Sequence, residues 1–441
     1  MIPAALEALR QAADAGDACW QRSERTTIAF ESGRLKSAGV TEESGLNVRV
    51  VKGGKVGVAG TTATDRPPAE VIARALASAE LGEPLALEFP PSRAYPTVVT
   101  ESPRAAGAST AALADLGRGL VERLARPDAQ VNVNVEREVE ETSVGNTAGA
   151  RGSYRATGVS VSADVTRVAE NDVLMVYDYY VGTDLPEAAD LDAIVESITS
   201  RLERALTVTS SPGGSLPVVF TPMGQSAILL PLEEALSGKT LVQGISPLQG
   251  KTGEQVFAEG LSIVDDPTIA GRPGSYPFDD EGVAAARLPL IERGRPRNFV
   301  HSLETAARLG GGQRSTGHGH RGVFGKPRLG YSNLIVGPES RGPSRWSFGG
   351  GLLDGITEGL LIDDLIGVGQ GNIIGGAFSH PVALAYRIEN GEITGRVKDA
   401  AVAGNVYDLL KKLGGWGSDG RWTGARWSSS LRLDGVSVAG R

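Results

Sequence analysis

Apolar and polar positions alternate with clear periods along the first two hundred residues. Ala5, Leu6, Leu9, Ala12 and Ala13 recur at the spacing of one helix face, which predicts a helix over 3–16. Residues 26–40, TTIAFESGRLKSAGV, alternate about a turn at Gly33. Residues 45–61, GLNVRVVKGGKVGVAGT, set Leu46, Val48 and Val50 on one face, with Gly53-Gly54 as the turn of a hairpin. Pro67 and Pro68 then open a helix reaching about residue 81, since proline's missing N–H is not needed in a first turn.

A stretch rich in Pro, Ser and Ala over 84–110 reads as a linker or extended strap. A helix is predicted over 111–126 and strands over 129–181. Residues 191–206 place Ile194, Ile198, Leu202 and Leu206 on one helix face. The turn SSPGGS at 210–215 marks a boundary. Beyond it the chain is Gly-rich and strand-like, with helices predicted at 224–239, 299–310 and 406–415. Three units follow: 1–90, 111–208 and 212–441.

Composition narrows the class. The chain has 441 residues, 41% hydrophobic and 22% charged, which excludes a wholly disordered or fibrous protein. The net charge of −8, with no basic stripe, argues against a nucleic-acid partner. Cys19 is the one cysteine, so no intrachain disulfide forms and no CxxC metal or redox motif exists. The N-terminus reads as an amphipathic helix rather than a signal peptide, and no continuous apolar stretch is long enough to span a membrane. The expected setting is the cytoplasm, with no membrane partner.

Several segments, in order, carry a family signature. They are Asp265-Asp266-Pro267, then FDDEG (Phe278, Asp279, Asp280, Glu281, Gly282), then STGHGHR from Ser315 to Arg321. YRIENGEI follows, with Glu389, Asn390 and Gly391, then Ala403-Gly404-Asn405 and a final RLDGVSVAG. Together with the early hairpin they resemble the TldD/PmbA family, known as modulators of DNA gyrase and as peptide-maturing proteases. The resemblance runs through nearly the whole chain. It implies an α+β fold: N-terminal α/β sheet-and-helix modules, then a larger, mainly antiparallel, barrel-like β domain.

One branch of that family carries HExxxH on a helix, where two His and a distant Cys are thought to hold zinc and the Glu to act as general base. Imidazole and thiolate suit Zn²⁺, and the metal acidifies a bound water. Here the matching helix reads AILLPLEEALSG. Pro231 and Leu232 stand in place of the first His and the Glu, and Leu236 in place of the second His. No Cys follows residue 19. The resemblance therefore implies the other branch, the PmbA/TldE-type subunit. Such a chain binds no cofactor itself. Zinc is expected in a TldD-type protease subunit paired with it as a heterodimer or larger assembly, a homodimer being expected in that partner's absence. The pair acts on unfolded or precursor peptides.

Other residues carry chemistry of their own. His318 and His320 are two apart and face one side if on a strand, so a metal with Asp279, Asp280 or Glu281 as third ligand is one reading. Histidines bonding the backbone of a Gly-rich loop is the other. A self-sufficient metal-dependent hydrolase would need the first reading. A protein-binding regulator of the gyrase-modulator kind would need neither. Ser379 precedes His380, but strand neighbours face opposite sides, and no G-x-S-x-G elbow occurs. FDDEG and LIDDLIG (361–367) offer paired carboxylates, for acid–base work or, more simply, for turns and caps. Gly349-Gly350-Gly351 fits no phosphate-loop pattern. Trp416, Trp422 and Trp427 suit an interface or a core, and Cys19 and Trp20 suit packing.

Overall fold

A computed structural model describes residues 1–169, 172–338 and 351–440. The alternating N-terminal segments become long strands. Helix α1 (Ile2–Ala12) leads into β1 (Ala15–Glu31), β2 (Arg34–Lys52) and β3 (Lys55–Thr61), followed by α2 (Pro68–Glu80). After the strap come α3 (Pro103–Ala106), α4 (Thr110–Leu124), β4 (Gln130–Asn146), β5 (Arg151–Ala169), β6 (Asp172–Gly182) and α5 (Ala188–Arg204). The six strands form one antiparallel sheet in the order β3-β2-β1-β4-β5-β6. The units expected at 1–90 and 111–208 thus share a sheet, joined where β1 pairs with β4 from Asp17–Asn146 to Phe30–Val133.

Strand alternation then sorts the two faces. Leu46, Val48 and Val50 pack with Leu6, Leu9, Val71 and Ile72 under α1 and α2. Ile28, Phe30, Val133 and Val135 pack with Leu113, Leu120 and Ile198 under α4 and α5. The opposite face, with Asp17, Cys19, Asn47 and Arg49, is the polar half of the same pattern. It is buried all the same, because C-terminal loops cover it.

The C-terminal part opens with β7 (Val208–Thr209), β8 (Gly214–Phe220), α6 (Ser226–Ala235) and α7 (Gly238–Val242). Next are β9 (Ser262–Asp265), β10 (Leu288–Glu292), β11 (Arg295–Pro296), α8 (Leu303–Leu309), β12 (Gly319–His320), β13 (Arg328–Leu329) and β14 (Leu334–Gly337). Last are β15 (Glu358–Leu365), β16 (Ala377–Glu389), β17 (Glu392–Val397), β18 (Ala400–Asn405), α9 (Val406–Leu409), β19 (Leu413–Trp416), β20 (Arg421–Thr423), β21 (Arg426–Ser428) and β22 (Leu431–Gly440). Five strands close a barrel in the order β15-β8-β22-β18-β16, with β16 pairing back to β15. Only β8–β15 is parallel within it. Val218, Phe220, Leu360 and Ile362 belong to the apolar core shared with α6, and Val219, Leu361 and Tyr386 face the helices of the N-terminal unit.

Three C-terminal helices are shorter than expected, the one at 299–310 running only over Leu303–Leu309. The one expected at 224–239 breaks at Leu236-Ser237, where the Ser237 side chain caps a new start, α7. The one expected at 406–415 stops as α9 and a 3-10 turn, and Leu413–Trp416 instead pairs with β22. Gly414-Gly415 explains the change, since glycine is a poor helix interior residue.

Candidate functional site

The position where the family resemblance would put zinc is helix α6. Pro231, Leu232 and Leu236 are buried there, and both leucines pack with Ile228, Leu229 and Phe220 in the barrel-side core. Tyr407 Oη donates to the Pro231 carbonyl at 3.2 Å, closing the helix from outside. Apolar side chains and a proline offer no lone pair to a metal. The residues present do not fit zinc. Among the described residues no group of three His, Cys, Asp or Glu comes together that could hold a metal ion. The nearest titratable group on the helix is Glu233, which is raised by burial and bonded to Arg426 at 2.5 Å.

The FDDEG and GHGHR segments meet on the polar face of the N-terminal sheet. Asp17 of β1 accepts from two guanidinium groups, Arg49 Nη2 and Arg321 Nη2, each at 2.6 Å. Arg49 Nη1 also donates to Glu281 at 2.7 Å. The other Glu281 oxygen accepts from the Leu303 N–H at the start of α8, at 2.7 Å. All four side chains are buried. Burial alone would raise the Asp17 carboxyl. Arg321 and Arg49 outweigh it and hold it below the usual carboxylate range.

The neighbouring carboxylates tie loops rather than face solvent. Asp279 Oδ1 accepts the Glu281 and Val283 N–H groups, and its Oδ2 accepts the Gly319 N–H at 2.9 Å. Asp280 Oδ2 accepts the Arg321 N–H at 2.8 Å. Burial raises both carboxyls, with Glu281 adding to the rise at Asp279. A β-carbon at Gly319 would lie 2.3 Å from Glu281 Oε2, so this close approach requires glycine. Gly282 accepts at its carbonyl from Tyr95 of the strap, 3.1 Å away. The turn-and-cap reading of FDDEG describes this geometry.

Among the described residues, His318 and His320 form no three-ligand group with a carboxylate. His318 Nε2 pairs with Asp265 Oδ1 at 2.9 Å, and its Nδ1 lies 2.9 Å from Thr316 Oγ1. Asp265 also takes the Ser332 N–H and hydroxyl. His320 sits edge-on to Tyr276, its proton affinity lowered by burial against the pull of Asp280. His301 is buried, and desolvation with His318 nearby lowers it to about 4.

The remaining motifs sit in turns, strand pairing and packing contacts. Glu389-Asn390-Gly391 turns β16 into β17, with positive φ at Asn390 (50°) and Gly391 (83°), as a tight hairpin requires. Ser379 and His380 pair with different β18 residues along β16, and the His380 ring stacks on Phe378. Trp416 donates to the Gly260 carbonyl, Trp422 lies under Arg272, and Trp427 packs against Gly420 and Gly337. Cys19 is buried with Val144 and Phe278, its thiol pushed well up by burial. Trp20 packs partly buried with the α1–α2 core. Gly349 and Gly350 lie outside the described residues.

Two features were not singled out from sequence. Arg49 and Asp17 sit in alternating strands where polar residues read as solvent-facing, and only the distant pairing with Glu281 and Arg321 reveals them. A pocket of about 180 Å³ lies at the seam of α5 and the barrel, lined among others by Arg201 and by Asp363 of LIDDLIG. No spacing in the sequence links those two residues.

Comparison with known proteins follows the same lines. Residues 213–440 match the PmbA/TldA metallopeptidase C-terminal domain, and residues 16–80 match PmbA/TldA metallopeptidase domain 1. A metalloprotease of Methanothermobacter thermautotrophicus is 32% identical over 241 residues, 54% of this chain and 51% of that protein. A metalloprotease PmbA homolog of Haemophilus influenzae is 27% identical over 296 residues, covering 67% and 62% of the two chains. The chain spans about half the length of the first curated relatives it matches. The crystal structure of TldE from Thermococcus kodakarensis superposes with a TM-score of 0.87 at 24% identity, over 99% of this chain and 100% of that one, a likeness of fold.

Proposed function

This chain belongs to the TldD/PmbA metallopeptidase family, and from that premise we propose that it is a non-catalytic subunit. It pairs in the cytoplasm with a TldD-type zinc protease subunit that cleaves unfolded or precursor peptides. The observation that carries the reading is α6: the positions of the metal-binding motif hold Pro231, Leu232 and Leu236, all buried among apolar side chains. Refilling them with ligands would put charge and imidazole into a packed core.

The role left to such a subunit is to hold the peptide or the partner. An extended strand binds well along an unpaired sheet edge, through main-chain hydrogen bonds that ignore sequence. Such an edge exists here. β3 pairs β2 only over Leu46–Lys52, so among the described residues the outer edge of β2 from Arg34 to Gly45 has no strand partner. Residues 34–43 are all exposed. Glu42, Glu43 and Ser44 line an open groove with Thr62, Val323 and Phe324, and Phe324 is exposed.

The test is to purify the chain alone and together with a TldD-type subunit from the same genome. Zinc and peptidase activity are expected only in the pair. Activity in the lone chain that survives purification and vanishes on changing His318 and His320 would overturn the reading.

A further inference from the structure

The pocket at the seam of α5 and the barrel holds two buried opposite charges that no hydrogen bond joins. Asp363 of β15 and Arg201 of α5 are each 5% exposed. Arg201 Nη1 stands 3.7 Å from Asp363 Oδ2, which is too long for a hydrogen bond. Asp363 accepts no hydrogen bond from any described residue. The second carboxylate near Arg201, Asp178 at 3.9 Å, is already taken by both Nη atoms of Arg421, at 2.7 and 2.9 Å. Arg201 spends its Nε on the Ser197 carbonyl and its Nη2 on the Tyr177 carbonyl, which leaves Nη1 toward Asp363. Isolated buried charges are costly, so a site that keeps two of them half-paired beside a void is built to receive matching charges.

The shape and charge of the pocket select the ligand. Its volume is about 180 Å³. That is room for about six waters at ~30 Å³ each, or for one amino-acid-sized molecule. Asp363 calls for an ammonium group and Arg201 Nη1 for a carboxylate. The two protein groups are 3.7 Å apart. In an α-amino acid the ammonium and carboxylate flank one carbon, so one head group spans both. Pro222 and Met223 form an apolar wall beside them, and Glu196 and Arg204 stand at the exposed mouth. We propose that this pocket binds a free α-amino acid with an apolar side chain, its ammonium on Asp363 and its carboxylate on Arg201. The proposal does not rest on the partner-subunit reading. It concerns the chain by itself.

The test is calorimetric titration of the full chain with L-leucine, alongside N-acetyl-leucine and leucine amide. Saturable one-to-one binding of leucine is expected. Blocking either end should weaken it about tenfold or more, the loss of one charge-assisted hydrogen bond. Asp363→Asn should do the same while leaving the melting temperature close to that of the parent. Should that variant fold poorly, a leucine-soaked crystal of the parent reads the same point, with density expected in the pocket beside Asp363 and Arg201. No saturation by about 10 mM leucine would sink the proposal, that being weaker than a specific small-molecule site. Equal binding of leucine and its two blocked forms, or wild-type affinity in a folded Asp363→Asn chain, would sink it too.

Discussion

Two clusters of buried charge lie at the seam between the N-terminal unit and the C-terminal part, and they are built differently. In the first, Asp17 bridges Arg49 and Arg321, Arg49 bridges Asp17 and Glu281, and Glu281 reaches on to the start of α8. These partners lie within hydrogen-bonding distance, Arg321 Nε alone among their guanidinium nitrogens being buried without a partner. In the second, Arg201 and Asp363 stand 3.7 Å apart beside a pocket. Buried ionic groups are thus not in themselves a mark of function. A network whose carboxylates are all hydrogen-bonded holds loops in place, whereas a pair that no hydrogen bond joins leaves room for a ligand.

Removing the hub of the closed cluster gives the largest expected effect. Asp17→Ala leaves Arg321 buried without its carboxylate and Arg49 with Glu281 alone, a loss of about 3–5 kcal/mol. Thermal and denaturant unfolding would show it. A loss under about 1 kcal/mol would mean that the closed cluster is no tighter than an ordinary surface pair. Leu232→Ala in α6 supplies an uncharged reference, with an expected cost of about 2–5 kcal/mol from lost burial and a cavity.

Acid should find the closed side first. His301, two residues before the Leu303 N–H that Glu281 accepts, is lowered to about 4 when folded. The unfolded chain takes up the proton near pH 6.5 while the native one does not, so acid favours unfolding. The stability due to neutral His301 is full above pH 6.5 and is lost as pH falls toward 4. The slope is up to about 1.4 kcal/mol per pH unit. His301→Gln should flatten the profile in that window. Below it Asp17, also lowered in the native state, adds its own acid sensitivity. The smallest effect belongs to the open cluster. Asp363→Asn should change stability by less than about 1 kcal/mol, since it removes a charge that no hydrogen bond repays. A loss as large as that of Asp17→Ala would erase the contrast between the two seams.

Much of the architecture was legible because periodicity is local. Leu46, Val48 and Val50 announce a strand and Ile194, Ile198 and Leu202 a helix face, whatever packs on them. The absence of metal ligands in α6 was equally plain, because a side chain's donor atoms are fixed by its identity. So was the turn chemistry of Asn390-Gly391. Other features depend on which segments meet. Asn47 and Arg49 occupy the polar half of an alternating strand, and the pattern alone reads them as solvent-facing. They are buried because loops some 270 and 230 residues further on dock there. The joining of β1 to β4 crosses more than a hundred residues. Arg201 and Asp363 are as far apart in the chain, and their meeting depends on where α5 lies against the barrel. The sequence by itself determined the elements, the family and the chemistry that α6 lacks, since these follow from local period and residue identity. Only the tertiary structure decided which charges hydrogen-bond one another and which stand apart, because that depends on distances between segments remote in the chain.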